Sequence, residues 1–149
     1  MKEVVSTLNT LIATCRDGEQ GFRTAAEHVK DPTIKALFND LARERGSYAE
    51  ELKQEIQKLG GVPEEGGSVS GALHRGWMDV KAGLAGRDDE SLLSEAERGE
   101  DVAVAAYREA LGSALSPSTH AMVERQYGRV KQAHDRVRAL RDSYKPSHA

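Results

Sequence analysis

One cysteine, one tryptophan, two phenylalanines and four prolines are all that 149 residues contain of these types. With Cys15 alone, no internal disulfide and no cysteine-rich zinc module can form, which points to a reducing compartment, the cytoplasm. Aromatic residues make up 5% of the chain, so the core must be built from aliphatic side chains and alanine. So few prolines leave room for long unbroken helices. Neither charge sign is in large excess: 21 basic residues face 24 acidic ones, a net charge of -3, which does not describe a nucleic-acid binder. No apolar run approaches the ~20 residues of a membrane span. The opening MKEVVSTLNTLIATCRDGE interrupts its apolar residues with charge too often for a secretory signal. A chain of this length forms one domain with a modest core.

What is present is helical periodicity. Val4, Leu8, Leu11, Cys15, Gly18, Phe22, Ala25 and Val29 alternate four and three residues apart, one buried seam of a long helix. Asp31-Pro32 is a cap followed by proline at the first helical position, so the next helix turns back at once. Its seam reads Ile34, Phe38, Leu41, Arg45, Tyr48, Leu52 and Leu59, widened by Leu37, Ala49 and Ile56. Glycine and proline between residues 60 and 68 stop it. A shorter segment with Val69, Leu73, Trp77, Val80 and Leu84 follows, then a break and recap at Gly86-Arg87-Asp88-Asp89. The third long helix carries Leu93, Ala96, Glu100, Ala103, Tyr107, Ala110 and Ala114; the fourth, restarted by Ser116-Pro117, carries Val123, Gln126, Val130, Ala133, Val137, Leu140 and Tyr144. The pattern predicts an all-α four-helix bundle over residues 1–144, with a helical crossover at about 60–88 joining the second and third long helices. Pro146 is expected to end the order and leave 145–149 as a flexible tail.

Pairing the helices antiparallel places Cys15, Arg45, Glu100 and Val130 at similar height. Three of these are not ordinary core residues. Tyr48, Glu19, Glu97, Gln126, Lys131 and His134 lie within a turn or so of the same level, so the bundle centre is expected to be polar. A guanidinium in a seam cannot lose its charge and must find a carboxylate or reach water. Glu100 is the best partner for Arg45, with Tyr48 donating to a carboxylate and Glu97 or Glu19 completing the network. Gly18, Gly46, Gly99 and Gly128 also fall near mid-helix, where each costs about 1 kcal/mol relative to alanine. They provide either close helix contact and room for Arg45 and Tyr48, or a small cavity.

The stretches CRDGEQGFRTAAEHV, LGGVPEEGGSVSGALHRGW, ERGEDVAVAAYREAL and AHDRVRALRD, together with Glu100-x-x-Ala103-x-x-x-Tyr107, resemble a bacterial family of unknown function with a ferritin-like four-helix bundle. The resemblance runs from residue 15 to 142 and implies that fold, a loose association with stress responses and no established activity. Ferritin-like di-iron bundles take a Glu from each of two helices and a Glu-x-x-His from each of the others. Here Cys15 stands at the first Glu, Arg45-x-x-Tyr48 at one Glu-x-x-His and Lys131-x-x-His134 at the other. Only Glu100 and His134 remain. The expectation is therefore a non-catalytic interaction or structural protein without a cofactor, its centre an ion-pair network. The alternative is a metal-dependent or small-molecule-binding protein holding a single iron or zinc ion through Glu100 and His134, with Glu97 or Cys15.

Other features carry less chemistry. Cys15, at a seam position, is expected to be buried and inert. His74, Arg75 and Trp77 mark the crossover as a second candidate surface, with Trp77 anchoring it. The basic last helix faces an acidic third helix, a complementarity that favours register over stability. Expected partners are further copies of the chain or another protein, without nucleic acid or membrane.

Overall fold

A computed structural model describes residues 1–64 and 88–148, and the expectations for His74, Arg75, Trp77 and the rest of the crossover lie outside them. Four helices are formed among the described residues: α1 (Lys2–His28), α2 (Pro32–Lys58), α3 (Asp89–Leu111) and α4 (Pro117–His148).

Local chemistry sets their ends. The Asp31 carboxylate accepts from the backbone N–H groups of Thr33 and Ile34, and Pro32 opens α2. Asp88 caps α3 by accepting from Ser91 N at 2.8 Å. At the end of α2, Gly60 takes φ +80, a left-handed conformation that suits only glycine well. Ala114 is exposed beyond the end of α3, because Gly112 closes that helix before the apolar periodicity does. α4 runs past Pro146 to His148 rather than ending at the proline. A proline in a last turn removes only one helical hydrogen bond.

The apolar residues form two clusters. One joins Phe22–Val29 of α1 and its end to Ile34–Ala42, Leu92–Ala96 and Ala133–Val137; the other joins Leu8–Cys15 to Tyr48–Ile56, Ala103–Ala110 and Val123–Val130. Their membership fixes the helix directions. Low numbers of α2 and of α3 share a cluster, so these helices run parallel, and the chain leaves α2 at one end of the bundle and enters α3 at the other. The buried Asp89 ties that entry to the α1–α2 turn, accepting from Lys30 N at 2.8 Å and Asp31 N at 2.9 Å. α1 packs on α2 and α3 on α4, and the two hairpins meet chiefly through α1 and α3. Polar links also join α2 and α4, among them Glu44 to Arg129, Glu51 to Arg125 and Thr119 to Glu55. Between the two apolar clusters lies the layer that holds Arg45 and Glu100.

A buried ion pair at the bundle centre

Arg45 and Glu100 occupy the seam positions where α2 and α3 would otherwise place aliphatic side chains. Arg45 Nη2 donates to Glu100 Oε2 at 2.5 Å, and the side chains are 1% and 0% exposed. Burial works against the guanidinium's charge, but the Glu100 carboxylate and its hydrogen bond outweigh it and raise the Arg45 pKa further. The arginine is thus held as a permanent cation. Its Cζ lies 5.5 Å from the centroid of the Phe22 ring, which in turn packs on Phe38 at 5.5 Å. A cation over the ring face gains from the aromatic quadrupole.

Glycine makes the space. A Cβ on Gly18 would stand 3.1 Å from Arg45 Nη1, so the guanidinium lies against the bare surface of α1. A Cβ on Gly46 would stand 2.5 Å from Glu19 Oε2, so this glycine accommodates Glu19 rather than Arg45 or Tyr48. Gly128 has nothing within 4 Å of its Cβ position and serves neither purpose. Gly128→Ala is therefore expected to stabilise the protein by about 1 kcal/mol, the helix-propensity difference. Gly18→Ala should lose that gain to crowding of the guanidinium, and urea denaturation of the two variants side by side measures the contrast.

A second set of polar groups adjoins the pair. Cys15 Sγ is 3.1 Å from Tyr107 Oη, and Tyr107 donates to Gln126 Oε1 at 2.7 Å. The Gln126 amide donates to Glu51 Oε1 at 2.7 Å and to Tyr48 O at 3.4 Å, which sets its orientation. Because the Tyr107 proton is used on Gln126, the thiol proton is the one that goes to Tyr107. Burial pushes the Cys15 thiol up to about 11, only partly offset by the Tyr107 hydrogen bond, so the sulfur stays protonated and inert at neutral pH. Burial likewise drives the Tyr107 hydroxyl well above its ordinary range.

Three expected members of the network lie elsewhere. Glu97 is paired with Arg141 and, at 3.7 Å, with Arg138, because it sits on the side of α3 that faces α4. Glu19 pairs with Arg16 at 3.0 Å and Arg23 at 3.4 Å along its own helix. Tyr48 neighbours Glu44, one turn away, and not Glu100; burial chiefly, and then Glu44, push its hydroxyl up to about 12. Tyr107 and Gln126 are the residues missing from the expected network. Both had signals in the sequence, as the tyrosine of the Glu-x-x-Ala-x-x-x-Tyr pattern and as the polar residue in the α4 seam.

The pairing of Glu100 with His134 as metal ligands is not assembled. Glu100 is engaged by Arg45, whereas His134 meets Asp101 Oδ1 at 2.6 Å through Nε2 and Asp135 Oδ1 at 3.0 Å through Nδ1. No group of three or more His, Cys, Asp or Glu side chains is placed to hold a metal among the described residues. A single carboxylate, neutralised by a guanidinium, does not fit the carboxylate-rich donor set of a di-iron bundle. With carboxylates at both ring nitrogens, His134 is best satisfied as the imidazolium, which donates twice. Burial tends to lower its pKa, but hydrogen bonds to Asp135 and Asp101 prevail and raise it. The raised folded value fixes the sign. The stabilisation is complete below the unfolded-state pKa of about 6.5 and is lost as pH rises through the folded-state value. A His134→Gln variant should lack this decline, which denaturation midpoints across neutral pH will reveal.

The parallel α2 and α3, the two hairpins and the polar layer at mid-height define a ferritin-like four-helix bundle. The chain belongs to the family described as "Domain of unknown function (DUF2383)", whose model matches residues 3–113. No curated protein matches it. Similar solved structures include the dodecameric thioferritin, a bacterioferritin-related protein, from Bacteroides fragilis, with 17% identity and a TM-score of 0.77 over 98% of this chain and 89% of that one. The DPS protein of Vibrio cholerae O1 has 16% identity and a TM-score of 0.74, covering 93% of this chain and 89% of that one. An archaeal Dps homologue from Halobacterium salinarum has 17% identity and a TM-score of 0.72, over 93% of this chain and 78% of that one. At these identities the likeness concerns the fold.

Proposed function

We propose that this protein is a non-catalytic, stress-associated ferritin-like bundle of the cytoplasm that works by association with copies of itself or with another protein. The observation that carries the reading is the fully buried Arg45–Glu100 pair. It places a permanent organic cation where metal-using bundles of this fold concentrate carboxylates, and like charge opposes a metal ion at that distance. Self-association is supported by the dodecameric state of the Bacteroides fragilis relative. No helix among the described residues is long and apolar enough to cross a membrane. On α4, Arg125, Arg129 and Arg141 face Glu51, Glu44 and Glu97, which leaves this basic helix largely neutralised from within the bundle and speaks against a nucleic-acid partner.

Metal analysis and analytical ultracentrifugation of protein purified without a histidine tag test the proposal together. The expected result is far less than one iron or zinc per chain in a discrete assembly larger than a monomer. Stoichiometric iron or zinc that survives dialysis would overturn it in favour of a metal-dependent protein.

A further inference from the structure

We infer that the bundle centre binds one internal water molecule between Arg45 and Glu100, as a constituent of the pair. This rests on the reading that the pair, and not a metal, occupies the centre. Three atoms of the pair, Arg45 Nε, Arg45 Nη1 and Glu100 Oε1, are buried from solvent and meet no protein hydrogen-bond partner. The large majority of buried side-chain polar atoms in proteins have a partner, either protein or ordered water. The side chains that share this level are already committed: Cys15 to Tyr107, Tyr107 to Gln126, and Gln126 to Glu51 and the Tyr48 carbonyl. None of them is available to turn toward the pair.

The chemistry of the three atoms selects the ligand. Two are donors and one is an acceptor, so the occupant must accept from the guanidinium and donate to the carboxylate. An anion is repelled by Glu100 and a cation by Arg45, which leaves a neutral molecule. Its size is limited by α1, where a Cβ on Gly18 would already stand 3.1 Å from Nη1, and by the Phe22 ring, whose centroid lies 5.5 Å from Cζ. Water is neutral and can accept from one guanidinium N–H while donating to the carboxylate; because the Nε–H and Nη1–H bonds diverge, a single molecule bridges Glu100 Oε1 to one of them. It also accounts for a single Nη2–Oε2 hydrogen bond where arginine and glutamate commonly form a two-pronged fork.

The test is oxygen-17 water relaxation dispersion on the full chain and on an Arg45→Met/Glu100→Leu double variant, paired with a high-resolution crystal structure of the native protein. The native chain should show the dispersion amplitude of one more long-lived water than the variant. The crystal should show a water within hydrogen-bond distance of Glu100 Oε1 and of Arg45 Nε or Nη1. Equal amplitudes, or a dry fork with both Glu100 oxygens on the guanidinium, would overturn the inference while leaving the proposed function standing. A metal ion at that position would overturn both. Should the double variant not fold, the native crystal structure decides by itself.

Discussion

Arg45→Met is expected to destabilise the protein by about 3 to 5 kcal/mol, because it strands the Glu100 carboxylate without a counter-charge in the core. For a chain of this size that is a fall in melting temperature on the order of 10 °C. Glu100→Leu should cost a similar amount by stranding the guanidinium. Replacing both together removes the desolvation penalty along with the attraction, so the double variant should lie near native stability or above it. Urea denaturation of the four proteins closes the cycle, and with the double variant near native stability the expected coupling is about 6 to 10 kcal/mol, as large as the two single losses together. Additive effects would mean that the two groups do not hold each other, whatever their separation. The contrast between ruinous single and harmless double substitution separates a buried pair from two independently placed side chains. Exposed pairs such as Arg129–Glu44 should each contribute only about 0 to 1 kcal/mol.

Tyr107→Phe is expected to cost about 1 to 3 kcal/mol, since it leaves Gln126 Oε1 without its donor and the Cys15 thiol without its acceptor, both in the interior. The ring itself stays, so the loss reports the hydroxyl alone. Tyr127 supplies the control. Its hydroxyl accepts from Arg108 Nε in an exposed bond, and Tyr127→Phe should change stability by no more than about 0.5 kcal/mol. Equal effects at the two tyrosines would deny the buried chain from Cys15 to Glu51 any energetic role. The same chain explains why Cys15 tolerates its position: a protonated thiol with an acceptor is a small, satisfied core group, and its neighbours Leu8, Leu11 and Ile12 are fully buried around it.

Much of the candidate site was legible in the residues. Arg45 and Glu100 each interrupt an apolar stripe, and an interrupting charge that cannot be removed asks for an opposite one. The partners of the other charges were not legible, because they depend on helix rotation. Glu97 and Glu100 are three residues apart and differ by about 60° around α3. That turn carries Glu97 to Arg141 and leaves Glu100 facing Arg45. Glu19, one turn beyond Cys15, drifts about 40° off the seam and settles beside Gly46, within reach of Arg16 and Arg23. Mid-helix glycines share a composition signal but not a cause: Gly18 yields to Arg45, Gly46 to Glu19, and Gly128 to no neighbour at all.

The four long helices of the described residues, the tight α1–α2 turn and the charged interruptions were determined by the sequence itself. Capping and 3.6-residue periodicity act over a few neighbouring residues and need no knowledge of the rest of the chain. Only the tertiary structure decided which acid met which base, that Tyr107 bonds Gln126 and Gln126 bonds Glu51, and why His134 turned to Asp101 instead of Glu100. Those outcomes rest on the rotation and axial register of one helix against another, set by the packing of the whole core, and a shift of one residue along a helix turns its side chain by about 100°.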